Sequence, residues 1–156
     1  MSENLFRPQS PSGPNNVNLP RGNMQTFLPY PDFKKSAQSL DYRRLGKQRV
    51  ECLQILKALE LGTGGWVNHP ATKMWRGYED ALRKYMAECI TEWISRGYNN
   101  TMSIPTVGSY TNPPWLGDEA FHSSHRSNLL RKDAVYYGKF GWSEPNDLPY
   151  VWPVNN

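Results

Sequence analysis

Residues 40–61 read LDYRRLGKQRVECLQILKALEL, and this stretch decides the fold. Its apolar members Leu45, Cys52, Leu53, Leu56 and Leu59 recur at helical spacing, so the segment is predicted to lay one face on a core. Extended backwards over Phe33, the pattern predicts a single long helix over residues 33–60. The glycines at Gly62, Gly64 and Gly65 end it, and Gly46 is its weak point, costing about 1 kcal/mol against alanine. The same stretch opens on Arg43, Arg44, Lys47 and Arg49. From Lys34 to Val50 there are six Lys or Arg against one Asp, so the basic charge is local. A positive patch on a rigid helix suits a phosphate backbone, which makes nucleic acid the first partner to consider.

Working outward, residues 70–96 predict a second helix, with Pro70 in its first turn and Arg96-Gly97 at its end. Met74, Trp75, Tyr78, Ala81, Leu82, Tyr85, Met86, Cys89, Ile90, Trp93 and Ile94 supply its apolar face. After a loop carrying Gly108 and three prolines, a third helix is expected from Gly117-Asp118-Glu119 to about Lys132 or Asp133. No alternating strand and no repeat appears. The expectation is an all-α single compact domain of three main helices, with an irregular N-terminal arm and an aromatic C-terminal tail. Residues 1–23 are rich in Pro, Asn, Ser and Gly and lack apolar periodicity, so they form the arm, flexible or ordered by a protein partner. Residues 24–156 form the helical domain.

At 156 residues the chain can bury a core without staples. The two cysteines, Cys52 and Cys89, both fall on apolar helix faces and are expected to be reduced core thiols. No signal peptide or membrane-spanning run is present, so a soluble protein of the cytoplasm is expected. Six Trp, nine Tyr and five Phe suit core packing and base stacking equally.

Several residues could carry chemistry. Arg43, Lys47 and Glu51 stand four apart on one stripe, either a surface ion-pair ladder or a carboxylate among cations that hold DNA phosphates. Arg49 points toward the core face, either snorkelling or poised to clamp a phosphate. His69, before Pro70, is a helix cap or a neutral imidazole for a site. His122 and His125 lie three apart, yet no third ligand stands at a diagnostic spacing, so no metal is expected. A metal-dependent hydrolase built on His69, His122 and His125 is the weakest of the readings. Phe121, His125, Asn128, Leu129 and Lys132 share a face on which polar groups interrupt an apolar surface. Arg126, Arg131 and Lys132, then Tyr136, Tyr137 and Lys139, interleave cations with rings. That suits either an unstacked nucleotide or a tail packed on the core.

The chain resembles the bacteriophage-type pyrimidine dimer DNA glycosylases, also called endonuclease V, from Met24 to about Lys139. The resemblance rests on Tyr42-Arg43 and Arg49-Val50, on the second helix beginning after a His and ending in Arg96-Gly97-Tyr98, and on Glu119-Ala120 leading to Tyr136-Tyr137-Gly138-Lys139. The sequence from Thr26-Phe27-Leu28-Pro29-Tyr30-Pro31 through Trp152-Pro153 also looks like a group of bacterial and phage proteins placed in that family. It implies a glycosylase and abasic-site lyase acting on double-stranded DNA with a damaged base, without metal or organic cofactor. In that chemistry a neutral amine attacks C1′, displaces the base and forms an imine, while a carboxylate stabilises the cationic sugar and moves protons. The family's amine is the chain's own N-terminus. By the resemblance it would lie at Met24 or Gln25, behind 23 preceding residues. An α-amine is roughly a third neutral at pH 7.5 and an ordinary lysine only about 0.1%. The family's glutamate would fall near Arg44 or Gly46, neither an acid; Glu51 is the nearest carboxylate on a compatible stripe, with Asp41 behind it. The alternative is a non-catalytic nucleic-acid-binding or virion-associated protein that reuses the fold and docks through its arm.

Overall fold

The computed structural model describes residues 24–153; the arm expected over residues 1–23 lies outside them. Six helices follow one another: α1 (Phe33–Ser39), α2 (Tyr42–Leu61), α3 (Pro70–Lys73), α4 (Glu79–Ser95), α5 (Glu119–Lys132) and α6 (Ala134–Gly138). No strand occurs among the described residues, and the all-α expectation holds.

The long first helix is in fact two. Leu40 and Asp41 are both extended, and Asp41 turns its carboxylate onto the Arg43 N–H as the N-cap of α2. The break is stabilised from outside, because the buried Tyr137 hydroxyl meets both the Asp41 N–H, at 3.0 Å, and the Asp41 carboxylate. An aspartate that satisfies an otherwise orphaned helix N–H wins over continuation of the helix. At the other end Gly62 takes a left-handed φ of 69° and returns its N–H to Ala58.

The second expected helix is likewise divided. His69 caps the single turn α3, whose chain then turns at Gly77, φ 88°, before α4 begins with Glu79 and Asp80 in its first turn. The third is α5, capped by Asp118 and closing on Arg131 and Lys132 as predicted. Asp133 ends α5 and caps α6, a short helix the sequence reading left inside the tail.

The principal helix contact is α2 on α4, with α1 also on α4. Leu45, Cys52, Ile55, Leu82, Tyr85, Cys89 and Ile90 fill it, and both thiols are buried and reduced, as expected. Residues 24–30 run extended between α2 and α5 and belong to the core: Met24, Gln25, Thr26, Phe27 and Leu28 are all buried. From α2, Gln48 accepts the Phe27 N–H at 2.7 Å and donates to the Gln25 carbonyl at 2.8 Å. From α5, His125 Nδ1 accepts the Leu28 N–H at 2.8 Å, His122 Nδ1 lies 2.7 Å from the Leu28 carbonyl, and Arg126 donates to the Pro29 carbonyl at 2.7 Å. The Trp75 indole N–H reaches the Thr26 hydroxyl, and Tyr85 donates to the Phe27 carbonyl. A buried extended segment must find partners for its main chain, and here side chains of three helices, α2, α4 and α5, supply them.

Candidate active site

The Arg43, Lys47, Glu51 stripe of α2 opens onto a cleft of about 290 Å³. Arg43, Arg44, Lys47 and Glu51 form one wall, and Asn128, Arg131 and Lys132 of α5 form the other. Phe27, from the extended segment, and Tyr150, from the tail, complete it. Arg44 is braced from behind by Asp41, whose two carboxylate oxygens each lie 3.2 Å from one guanidinium nitrogen. Five cations thus surround one carboxyl group.

That carboxyl is unusual. Glu51 is buried, and burial pushes its pKa up to about 8, against the opposing pull of Lys47, a hydrogen bond with the Gln25 main chain, and Lys132. Near neutral pH it therefore holds its proton in a substantial share of molecules, while lying next to the backbone of residue 25. Lys132 is displaced in the complementary direction. Partial burial, followed by the charges of Arg44, Arg131 and Lys47, holds its ammonium below the ordinary range, with Glu51 pulling the other way. Burial pushes the Tyr150 phenol up to about 12, so it remains a hydrogen-bond donor.

A model of the pyrimidine dimer DNA glycosylase family matches residues 24–106, just over half of the chain. The chain belongs to this family. The match begins at Met24 and contains the extended segment, α2 and Glu51, hence one complete wall of the cleft. The other wall, on α5, lies beyond it. No curated protein and no solved structure matches the chain. Membership in a DNA glycosylase family implies a DNA substrate, and the cleft lined by these cations is the candidate for its backbone. No helix among the described residues is long and apolar enough to cross a membrane.

The structure gathers only some of the candidate residues into this cleft. Arg43, Arg44, Lys47, Glu51 and Lys132 line it, Gln25 is buried against Glu51, and Met24 is buried with its sulfur toward the Thr72 hydroxyl. Arg49 is elsewhere: its guanidinium stacks on the Trp93 ring at 4.2 Å and donates to Asn100 at 2.8 Å, and burial lowers its pKa to about 10. The side chain of His69 accepts the Ala71 N–H at 3.0 Å as the cap of α3. His125 is fully buried, and burial, with His122 and Arg126 adding to it, holds its pKa down to about 3. Arg126 pairs with Glu119 within α5 and ties the helix to Glu144 and the extended segment. Tyr136 and Tyr137 hydrogen-bond Leu40 and Asp41, and Lys139 lies over the Tyr136 ring at 3.8 Å. Among the described residues, no group of His, Cys, Asp or Glu is arranged to hold a metal ion.

Of the cleft's residues, Phe27 and Tyr150 carry no local signal of a site, whereas Asn128 and Arg131 lie on the stretch of α5 whose polar and cationic groups are visible in the sequence. Arg131 adjoins Lys132 on α5, so its charge was visible although its partner wall was not. Nothing local distinguishes Tyr150 from the other tail aromatics. A second hollow, of about 340 Å³, lies beside Glu79, Asp80 and Arg83, but Arg83 pairs with Asp80 at 3.0 Å and no comparable cationic set faces it.

Proposed function

We propose that this member of the family is a glycosylase and abasic-site lyase for DNA carrying pyrimidine dimers, working through an amine and an imine in the α2–α5 cleft. The observation that carries the reading is the buried Glu51 carboxyl, set against the main chain of residue 25 in a cleft lined by five cations. Arg43, Arg44, Lys47, Arg131 and Lys132 hold the phosphates on either side of the lesion. An α-amine freed at Met24 or Gln25 lies beside Glu51. Its lone pair forms the bond to C1′ as the bond to the base breaks. Glu51 supplies a proton as the sugar ring opens, and its carboxylate then takes the C2′ proton as the 3′ phosphate leaves. Borohydride reduction of the imine, on abasic and ultraviolet-irradiated duplexes, tests this. A covalent adduct with a chain beginning at Met24 or Gln25, lost in Glu51→Gln, is the expected result. DNA binding without any adduct would overturn it.

One observation favours the second reading, a binding protein that reuses the fold. In the intact chain the nitrogens of Met24 and Gln25 are peptide nitrogens within a buried segment, and an amide is no nucleophile. On that reading neither the full chain nor the shortened one traps abasic DNA, while both bind it with salt-sensitive affinity.

A further inference from the structure

The intact chain has a second source of amine in the same cleft. We propose that Lys132 is the nucleophile of an abasic-site lyase activity that needs no free N-terminus, an inference that rests on the cleft being the site of imine chemistry. Lys132, at the end of α5, lines the same cleft as Glu51 of α2, together with Phe27 and Tyr150, and lies close enough to Glu51 for their charges to interact. A sugar aldehyde held in that cleft would meet an amine and a carboxyl supplied by two different helices.

The other lysines are less suited. Lys47 shares the cleft but lies one turn from Glu51 on the same helix, so the two tips run side by side rather than across a substrate. Lys35 and Lys139 lie over tyrosine rings, and Lys84 pairs with Glu88 at 2.8 Å. Lys132 forms no ion pair among the described residues, and partial burial, then the charges of Arg44, Arg131 and Lys47, disfavour its ammonium against the opposing pull of Glu51. The fraction of neutral amine rises accordingly, the same device that activates catalytic lysines placed beside other cations.

The step balances without an external oxidant or reductant. The neutral Lys132 amine adds to C1′ of the ring-opened abasic sugar, and the resulting carbinolamine loses water, its hydroxyl taking a proton from Glu51. The protonated imine acidifies C2′. The Glu51 carboxylate removes that proton, the electron pair forms the C2′–C3′ double bond, and the C3′–O bond breaks to release the 3′ phosphate. Hydrolysis of the imine returns the lysine.

The test is borohydride trapping of the full 156-residue chain on an abasic duplex, followed by proteolysis and mass mapping of the modified residue. The expected result is an adduct on Lys132. Trapping should fall at least about tenfold in Lys132→Arg, which keeps the charge and the DNA affinity, and should stay at the parent level in Lys57→Arg, outside the cleft. An adduct on another lysine, or undiminished trapping by Lys132→Arg, overturns the proposal and leaves imine chemistry standing. No adduct from the full chain, with an adduct from a chain beginning at Met24, overturns Lys132 alone. No adduct from either removes both readings.

Discussion

Glu51 separates function from stability at a single atom pair. Burial pushes its carboxyl from the ordinary value near 4.5 up to about 8 in the fold, so the unfolded state loses its proton first. Stability therefore falls as pH rises from about 4.5 to about 8 and is unaffected by this group beyond that, at about 1.4 kcal/mol per unit and a few kcal/mol at most. Replacing Glu51 by Gln keeps the shape and removes the titration. The expected outcome is a Tm at pH 8 above that of the parent, together with a loss of cleavage of about a hundredfold or more. A variant that cleaves like the parent would exclude Glu51 from the chemistry. Gly46 makes a second case. Helix propensity favours alanine there, but a Cβ would fall 2.9 Å from two atoms of the Trp93 ring. That ring cannot easily yield, being fixed by its N–H on the Asn99 carbonyl and by Arg49 across its face. Gly46→Ala is expected to destabilise by about 1–2 kcal/mol in chemical denaturation, and a stabilised variant would show the ring to be free.

At the scale of elements, the break between α1 and α2 places the site. Asp41 caps α2, receives the Tyr137 hydroxyl from α6 and holds Arg44 toward the cleft. Asp41→Asn keeps a capping oxygen but gives up the charge that braces Arg44. Asp41→Ala loses the cap as well, and is expected to cost about 1–2 kcal/mol more than the Asn variant in urea unfolding. The basic stripe and the apolar stripe of α2 were legible because both are properties of one helix, repeating every three or four residues. The break was not, since the helical pattern continues across Leu40 and Asp41. Its cause is Tyr137, 96 residues away. The same limit applied to Arg49, correctly placed toward the core side, whose stacking on Trp93 of α4 makes it a structural cation. Arg49→Ala is expected to lower Tm while leaving affinity for abasic DNA within about twofold, since it contributes nothing to the cleft; a large loss of affinity would return it to the site.

For the molecule as a whole, two charge distributions make opposite demands. His125, whose imidazole is held neutral down to about pH 3, resists protonation that the unfolded chain accepts near 6.5, so stability falls as pH drops below 6.5. His122, also lowered by burial, adds to that limb. With Glu51 acting from about 4.5 upward, the two slopes oppose each other between about 4.5 and 6.5. Thermal unfolding followed across pH should show a maximum in or at the edge of that window and a decline on both sides; a monotonic profile would contradict the burial of one group. DNA affinity should depend steeply on salt, and each cleft cation replaced by alanine, Lys47 for example, should lower the log–log salt slope by about one.

The sequence by itself determined that the chain is helical, that α2 carries a basic stripe beside an apolar one, that the thiols are buried and that the family is one of DNA glycosylases. These follow from periodicity, composition and the order of motifs, all of which are written along the chain. Tertiary structure alone decided that Glu51 lies against residue 25, that Lys132 of α5 lines the same cleft, and that His125, Arg126 and Tyr137 serve the core. Each of these links segments 26 to 97 residues apart, and burial, which sets the proton affinity of Glu51, exists only once those segments have closed over it.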